Sequence, residues 1–402
     1  MTWQVINGNN IDILKKYDDD TFDSIVTDPP YGIEFLGKDW DKNTGAMETW
    51  KECFRVLKPG GHLLAFSAAR TYHHLATNIE MAGFEIRDQL MWLYGTGFPK
   101  SSDVGRKIQK RQGVEEYGDS VDTTKNVGFG MTDHQRVKAG VEWSTKATKV
   151  GTVKCTSPEA KQWEGWGTHL KPAHEPIVMA RKPFKGSAID NVLEYGVGVL
   201  NIDASRIGNE EITTSYNPGI KGKMAHGHTP EDNKTHKLEP HRGRFPSNVI
   251  MDEEAGAILD AQAPKTGNAS SSKRTKTGMT GTGASLQWHK KAGESNGISD
   301  GLSGASKFFY CPKVSKSERM TFNNHPTVKP VELMKYLIRL VTPENGKVLD
   351  PFNGSGSAGM ACVELGHDYV GCELDPEYVE ISNKRISAWQ EKYNTDLFEY
   401  KE

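Results

Sequence analysis

Two short segments, far apart in the chain, hold residues whose types and spacing could do chemistry. In the first, the apolar run "SIVT" leads directly into Asp28, Pro29, Pro30 and Tyr31. The adjacent prolines stiffen the chain and remove two backbone donors, so a carboxylate and an aromatic ring are fixed at one corner. Taken alone, this corner is explained about equally well as a surface turn and as a functional site. The usual PPxY ligand pattern is absent, because Tyr31 follows Pro30 immediately.

The second segment, "VLDPFNGSGSAG", is a glycine-rich turn between a predicted strand and a predicted helix. It contains Asp350, Phe352, Asn353, Gly354 and Gly356. Glycines let a ligand approach the backbone, and a helix N-terminus offers free N–H groups. Glu373 ends the next predicted strand, and a carboxylate there can accept both hydroxyls of a ribose. The pattern therefore predicts a site for a nucleoside-containing cofactor.

Two cofactors fit this pattern to different degrees. Gly354-x-Gly356-x-x-Gly359 matches the dinucleotide fingerprint, which leaves a nicotinamide oxidoreductase as an alternative. However, Pro351 and its neighbours intervene before the glycines, and Asp350 would place a negative charge near a pyrophosphate. S-adenosylmethionine (SAM) carries a sulfonium, an ammonium and a ribose but no phosphate, so these residues favour SAM.

The elements that must position these segments alternate between strand and helix. Residues 1–98 and 308–402, with a strand near 173–183, predict one α/β domain with an open, mostly parallel sheet. Between its halves we predict a basic insertion over 99–172. We also predict a target-recognition region over 184–307, whose Gly-, Ser- and Lys-rich loop 264–307 is mobile by composition.

Charge is unevenly distributed over the 402 residues, whose net charge is −2. Residues 99–165 hold twelve Lys or Arg against nine Asp or Glu, and residues 264–307 hold seven against two. Two basic segments on an otherwise acidic body suit a polyanion partner. Solvated basic loops are the alternative, and they explain the first segment about equally well.

Several classes of protein are disfavoured. No apolar run approaches the roughly 18 residues of a membrane span. The five cysteines form no CxxC pair or metal spacing, which predicts reduced thiols in a cytoplasmic protein without a metal.

Together, "DPPY" at residues 28–31, "HPTVKP" at 325–330 and "DPFNGSGS" at 350–357 resemble the motifs of DNA amino-methyltransferases. The order, with the catalytic motif before the SAM motif, is similar to the β class, and the middle region resembles phage-borne members. The resemblance implies a doubly wound, Rossmann-like sheet of seven strands and permuted motif order. It also implies a bacterial or phage protein acting on double-stranded DNA, in restriction–modification or phage biology, and suggests a homodimer.

The resemblance also implies roles for individual residues. Asp28 and the Pro29 carbonyl would face the amine of a flipped-out base, while Tyr31 would stack on it. Asp in the first position goes mostly with N6-adenine and Ser with N4-cytosine, so adenine is predicted and cytosine is the alternative. The implied cofactor residues are Glu373 for the ribose, Asp350, Phe352, Asn353, Gly354 and Gly356 for the methionine side, Thr327 and Lys329 for the SAM carboxylate, and Asn9 near the adenine.

The basic segments supply the candidate DNA contacts. Lysine and arginine bind phosphates, and an aromatic ring among them can stack on a base. The predicted residues are Lys265, Lys273, Arg274, Lys276, Trp288, Lys290 and Lys291 in the loop, and Arg106 and Lys107 in the insertion, where Lys110 and Arg111 extend the patch. A DNA-binding protein without catalytic activity is a third alternative.

Overall fold

The computed structural model describes residues 1–33, 43–95, 101–113, 117–121, 150–212, 215–216, 236–237, 240–263, 274–279, 288–293, 304–312, 318, 320–325 and 327–399. These residues belong to two compact units. The first comprises Met1–Gly95 with His174–Glu402, and the second comprises Thr96–Ala173.

The described strands are β1 (Trp3–Asn7), β2 (Phe22–Thr27), β3 (Leu57–Phe66), β4 (Glu85–Leu93), β5 (Tyr117–Val121), β6 (Val150–Val153), β7 (His174–Arg181), β8 (Ile207–Ile212), β9 (Ser215–Tyr216), β10 (His236–Lys237), β11 (His241–Arg244), β12 (Val249–Met251), β13 (Arg274–Met279), β14 (Trp288–Gly293), β15 (Lys347–Asp350) and β16 (Asp368–Glu373). The described helices are α1 (Asn10–Leu14), α2 (Met47–Val56), α3 (Tyr72–Met81), α4 (Val104–Arg111), α5 (Pro158–Gln162), α6 (Ala188–Tyr195), α7 (Glu253–Gln262), α8 (Val331–Val341), α9 (Ser357–Leu365) and α10 (Pro376–Glu399). Short 3-10 turns lie at Asp203–Ser205 and Ala305–Phe308.

The first unit is built on an eight-stranded sheet of order β1-β16-β15-β2-β3-β7-β4-β12. All neighbouring pairs are parallel except those of β7, which runs antiparallel to both β3 and β4. Two-stranded antiparallel pairs β8–β11, β9–β10, β13–β14 and β5–β6 lie outside this sheet.

The sheet is buried on both faces, as its apolar central strands require. Successive side chains of a strand point to opposite faces, and Ile25 and Val26 of β2 accordingly belong to two different apolar clusters. One cluster contains side chains of α8 and α9, and the other contains side chains of α1, α2 and α3. Helices on both faces of a mainly parallel sheet confirm the predicted doubly wound α/β fold.

The sheet has one strand more than the seven predicted. Its edge strand β12 comes from "RFPSNVIMD", within the predicted recognition region, and pairs parallel with β4. With only three residues, β12 is too short to show a strand pattern in the sequence. It is recognised only by its pairing with β4 in the structure. Strand β1 was not predicted either. Among the described residues, no helix is both long and apolar enough to cross a membrane.

Candidate active site

The two chemistry-bearing segments meet at one edge of the sheet. Strands β2 and β15 are parallel neighbours, so their carboxyl ends, which carry Asp28 and Asp350, lie side by side. The Thr27 hydroxyl donates a hydrogen bond to Asp350 Oδ1 over 2.6 Å, although the two residues are 323 positions apart. The stiff corner and the glycine loop therefore form one site.

Asp28 is held by two donors. Its Oδ2 accepts a hydrogen bond from Lys329 Nζ at 2.6 Å, and its Oδ1 accepts one from the Tyr31 hydroxyl at 2.8 Å. The Asp28 side chain is 24% exposed, whereas that of Lys329 is only 8% exposed. Since a carboxylate has about four acceptor positions, Asp28 keeps the capacity to accept hydrogen bonds from a ligand.

Glu175 completes this cluster, and sequence reasoning missed it. Its Oε2 lies 2.9 Å from the Tyr31 hydroxyl oxygen and 3.4 Å from Lys329 Nζ. Glu175 is the second residue of β7, and because β7 runs antiparallel to β3, its first residues lie at the edge where the parallel strands end. A strand pattern alone does not disclose direction, so only the antiparallel pairing brings Glu175 to Asp28.

The cluster combines one cation with two carboxylates. Burial lowers the pKa of Lys329, but the charges of Asp28 and Glu175 outweigh it, so the pKa is raised and the ammonium persists. Burial, followed by the charges of the same two carboxylates, holds the pKa of Tyr31 well above 10. Tyr31 therefore acts as a neutral hydroxyl donor.

The glycine loop is shaped by positive backbone angles and supported by Glu373. Gly354 and Gly356 have φ of +53° and +83°, a region that favours glycine. Glu373 accepts hydrogen bonds from the N–H groups of Gly354 at 2.8 Å and Asp375 at 2.9 Å. Burial raises the pKa of this carboxyl. The residue predicted to bind a ribose thus also fixes the loop.

Three other predicted cofactor residues pack around the loop. Asp350 is 3% exposed, and its Oδ1 also accepts a hydrogen bond from the Phe352 N–H at 3.1 Å. Asn353 accepts one from the Tyr369 hydroxyl at 2.8 Å. The Phe352 ring lies against that of Trp50, with 5.7 Å between centroids. Asp350 and Asn353 therefore support the loop from the protein interior, and their contact with a cofactor stays a prediction.

The residues after β1 lie beside the end of β16. The Gly8 N–H donates to the carbonyl of Glu373 at 2.9 Å. The exposed Asn9 caps α1 by accepting from the Ile11 N–H at 2.9 Å. Its neighbour Asn10, which was not predicted, donates to the Pro351 carbonyl at 3.1 Å and so ties α1 to the glycine loop.

His325 and Lys329 of the HPTVKP segment contact the two halves of the site. His325 lies so close to Gly354 that a side chain there would crowd it, since a Cβ on Gly354 would lie 3.3 Å from His325 Nε2. The His325 ring also contacts the ring of Tyr378, with 4.5 Å between the ring centroids. Four residues later, Lys329 reaches Asp28. The Lys329 ammonium lies in the Asp28 cluster, and its contact with the SAM carboxylate stays a prediction. Thr327 is exposed.

A fully buried arginine, which sequence reasoning also missed, donates hydrogen bonds to the glycine loop. Arg385 of α10 is 0% exposed and donates to the Ser355 carbonyl at 2.5 Å and the Ser355 hydroxyl at 2.9 Å. It also donates to the Glu318 carbonyl at 2.7 Å. Glu318 in turn accepts from the first N–H of α8, at Val331. The arginine thus joins the loop to the segment that precedes HPTVKP.

The predicted DNA contacts are divided between the two units. Arg106 and Lys107 lie on α4 of the second unit, where both are exposed. Five residues lie on the β13–β14 pair, within the loop predicted from composition: Arg274, Lys276, Trp288, Lys290 and Lys291. Lys265 and Lys273 lie outside the described residues. Contact of these residues with DNA stays a prediction.

The burial of Asp350 predicts a pH effect on stability. Burial raises its pKa from 3.8 to about 7. Between these values the folded protein holds a proton that the unfolded chain has lost, so this group's stabilising contribution declines as pH rises towards 7. Asp350→Asn keeps the acceptor oxygen but cannot titrate. We compare the unfolding free energy of Asp350→Asn with that of wild type at each pH. We expect this difference to move by about 2 kcal/mol in favour of the variant from pH 5 to pH 8.

Urea titrations at the two pH values measure this change. Asp368→Asn is the control, because hydrogen bonds from Thr2 hold the pKa of Asp368 below 3.8, so it stays ionised across the window. Parallel pH curves for wild type and Asp350→Asn would contradict the effect.

With this geometry established, comparison with known proteins decides the family. The DNA methylase family of N6- and N4-methyltransferases matches residues 22–384. The chain belongs to this family. Membership confirms the predicted β-class DNA amino-methyltransferase with SAM as methyl donor, and it decides against the nicotinamide oxidoreductase.

Individual relatives extend the comparison. The Type II methyltransferase M.HindIII of Haemophilus influenzae is 21% identical over 428 aligned positions, which cover 95% of this chain and 94% of that protein. The Type II methyltransferase M2.MboI of Moraxella bovis is 40% identical over 74 residues, or 18% of this chain and 27% of that protein.

Two solved structures are also similar. The cytosine-N4-specific PvuII DNA methyltransferase is 12% identical with a TM-score of 0.42, covering 98% of this chain and 92% of its own. The M1.HpyAVI–SAM complex is 16% identical with a TM-score of 0.40, covering 96% and 100%.

Proposed function

We propose that this DNA methylase transfers the methyl group of SAM to the N6 amine of an adenine flipped out of double-stranded DNA. The observation that carries this proposal is the hydrogen bond from Thr27 to Asp350. It joins β2, the strand that leads into Asp28, to β15, the strand that leads into the glycine loop. An amine held at Asp28 would therefore lie beside a cofactor held at the loop.

The loop suits SAM better than a phosphate-bearing cofactor. Glu373 can accept ribose hydroxyls, and a cationic ligand would favour the ionised form of Asp350, whose pKa burial raises to about 7. Gly354 and Gly356 leave the backbone accessible, Asn9 follows β1 beside Glu373, and Thr327 is exposed. These residues would hold SAM. Once bound, SAM supplies an electrophilic methyl group that the amine nitrogen takes in a single displacement.

The Asp28 corner would prepare the amine for that displacement. The lone pair of an exocyclic base amine is delocalised into the ring, which makes the amine a poor nucleophile. The Asp28 carboxylate and the Pro29 carbonyl can accept its hydrogens and direct the lone pair outwards, while the rigid prolines limit misorientation. Tyr31 would support the flipped base with its ring, and its hydroxyl would remain bonded to Asp28.

Adenine is proposed because Asp occupies the first position of the catalytic motif, and N4-cytosine is the second candidate. The family match itself covers both amines. We further propose that the exposed α4 cations Arg106 and Lys107 and the basic β13–β14 pair bind DNA phosphates, and that the protein acts as a homodimer.

The reaction product tests the proposal. We expect incubation with isotopically labelled SAM and unmethylated mixed-sequence duplex DNA, followed by digestion to nucleosides, to place the label in N6-methyldeoxyadenosine. Single-stranded DNA and RNA of the same composition serve as comparison acceptors. Label in N4-methyldeoxycytidine would contradict the adenine assignment, and label in no nucleoside would contradict the proposed function.

A further inference from the structure

The Tyr31 hydroxyl lies between two carboxylates. Its oxygen is 2.8 Å from Asp28 Oδ1 and 2.9 Å from Glu175 Oε2. A phenol has one proton, so it can donate to only one of these oxygens at a time. Asp28, Tyr31 and Glu175 therefore form a line of hydrogen-bonding groups that can exchange which carboxylate receives the proton.

Lys329 fixes this line without being able to take up a proton itself. Its ammonium contacts Asp28 Oδ2 at 2.6 Å, the Tyr31 hydroxyl oxygen at 3.0 Å and Glu175 Oε2 at 3.4 Å. Lys329 already has Asp28 as a close ion-pair partner, so Glu175 adds a second negative charge to a single cation. The Glu175 side chain is only 23% exposed, and a second, largely desolvated carboxylate beside one ammonium is costly unless it has a role. The extra negative charge suits a group that receives a proton.

We propose that Glu175 accepts, through Tyr31, the proton that the amine loses on methylation. This inference rests on the proposed methyl transfer at Asp28, whichever base supplies the amine. Glu175 acts through Tyr31 and is therefore a positioning residue for Asp28 as well as the end of the relay.

The amine nitrogen forms a bond to the methyl carbon, the carbon–sulfur bond breaks, and its electron pair stays on sulfur. The nitrogen, now positively charged, gives one proton to Asp28. Asp28 passes a proton to the Tyr31 oxygen as the original phenolic proton moves to Glu175. Tyr31 is again neutral, Asp28 is again a carboxylate, and Glu175 is protonated until it exchanges with water.

The relay predicts specific kinetics for two conservative variants. Glu175→Gln keeps the size and one acceptor but cannot take the proton, and Tyr31→Phe keeps the ring but removes the bridge. We expect each to slow single-turnover methyl transfer by about 10- to 100-fold, within the range of positioned proton transfer. A solvent deuterium isotope effect should appear in Glu175→Gln. The Kd for SAM, measured by calorimetry, should stay within about twofold, which also verifies folding.

Two comparisons separate a relay from a merely structural role. Because both variants interrupt one pathway, the double variant should be no slower than the slower single variant. Glu85→Gln is the matched control, because Glu85 pairs at 2.9 Å with Arg181 at the opposite end of the same strand β7. We expect this control to retain the wild-type rate.

The outcomes are distinct. If the wild-type chain methylates DNA and Glu175→Gln does so at the same rate, the relay would be overturned but the proposed function would stand. Losses that multiply in the double variant would also overturn it. No methyl transfer by the wild-type chain onto duplex DNA would instead overturn the proposed function and the relay with it.

Discussion

Asp28→Ala is expected to lower the rate of methyl transfer by at least about 10³-fold while leaving the Kd for SAM within about threefold. The alanine removes the carboxylate that would orient the amine, whereas the glycine loop and Glu373 are untouched. The variant should remain folded, because the ammonium of Lys329 keeps Glu175 as a partner at 3.4 Å. Single-turnover transfer to duplex DNA and calorimetric titration with SAM measure the two effects separately.

Asp28→Asn sharpens this test. The amide keeps one acceptor oxygen but loses the negative charge, so a rate between those of wild type and Asp28→Ala would separate orientation from charge. Asp19→Ala is the control, because Asp19 is a 71% exposed carboxylate on the surface of the same unit, and it should leave the rate unchanged. A wild-type rate in Asp28→Ala would remove Asp28 from the mechanism.

Arg385→Met is expected to cost about 3 kcal/mol or more of unfolding free energy and to weaken SAM binding about tenfold. Methionine approximates the apolar stem of arginine but removes the guanidinium. The Ser355 carbonyl and hydroxyl and the Glu318 carbonyl would lose their buried donor. Because Ser355 lies between Gly354 and Gly356, its release should loosen the loop that binds the cofactor.

The neighbouring residue offers a matched control. Lys384 lies on the same helix, but it is 60% exposed and pairs with the exposed Glu380. Exposed pairs of this kind contribute about 0.3–0.5 kcal/mol, so Lys384→Ala should change stability little. Urea unfolding with and without SAM compares the two variants. Equal stability of Arg385→Met and Lys384→Ala would contradict the supporting role of the buried arginine.

The parts of the molecule that depend on local sequence could be predicted. The strand that leads into Asp28 and the loop at Gly354 are contiguous motifs, and each can be identified from its own residues. The start and end of α9 follow from Gly356 and Gly366, which both have positive φ. Asp followed by Pro is a typical start of a helix, and at the start of α10 Asp375 accepts from the Glu377 N–H.

The parts that depend on tertiary pairing could not be predicted. Glu175 reaches Tyr31 only because β7 is antiparallel to its neighbours. The residue pattern of β7 does not indicate in which direction the strand runs. Arginine is rarely fully buried, and no local pattern marks Arg385, because its contacts are the distant Ser355 and Glu318. The position of Lys329 depends in the same way on the fold, which brings HPTVKP to both Asp28 and Gly354.

We propose methylation of adenine in DNA through Asp28. Its most direct test is sequencing of native DNA, by a method that detects methylated bases, from cells expressing either the wild-type chain or Asp28→Ala. We predict modified adenine within one recurring sequence for the wild type and none for the variant. Modified cytosine, or the same modified adenine in both cultures, would contradict this account.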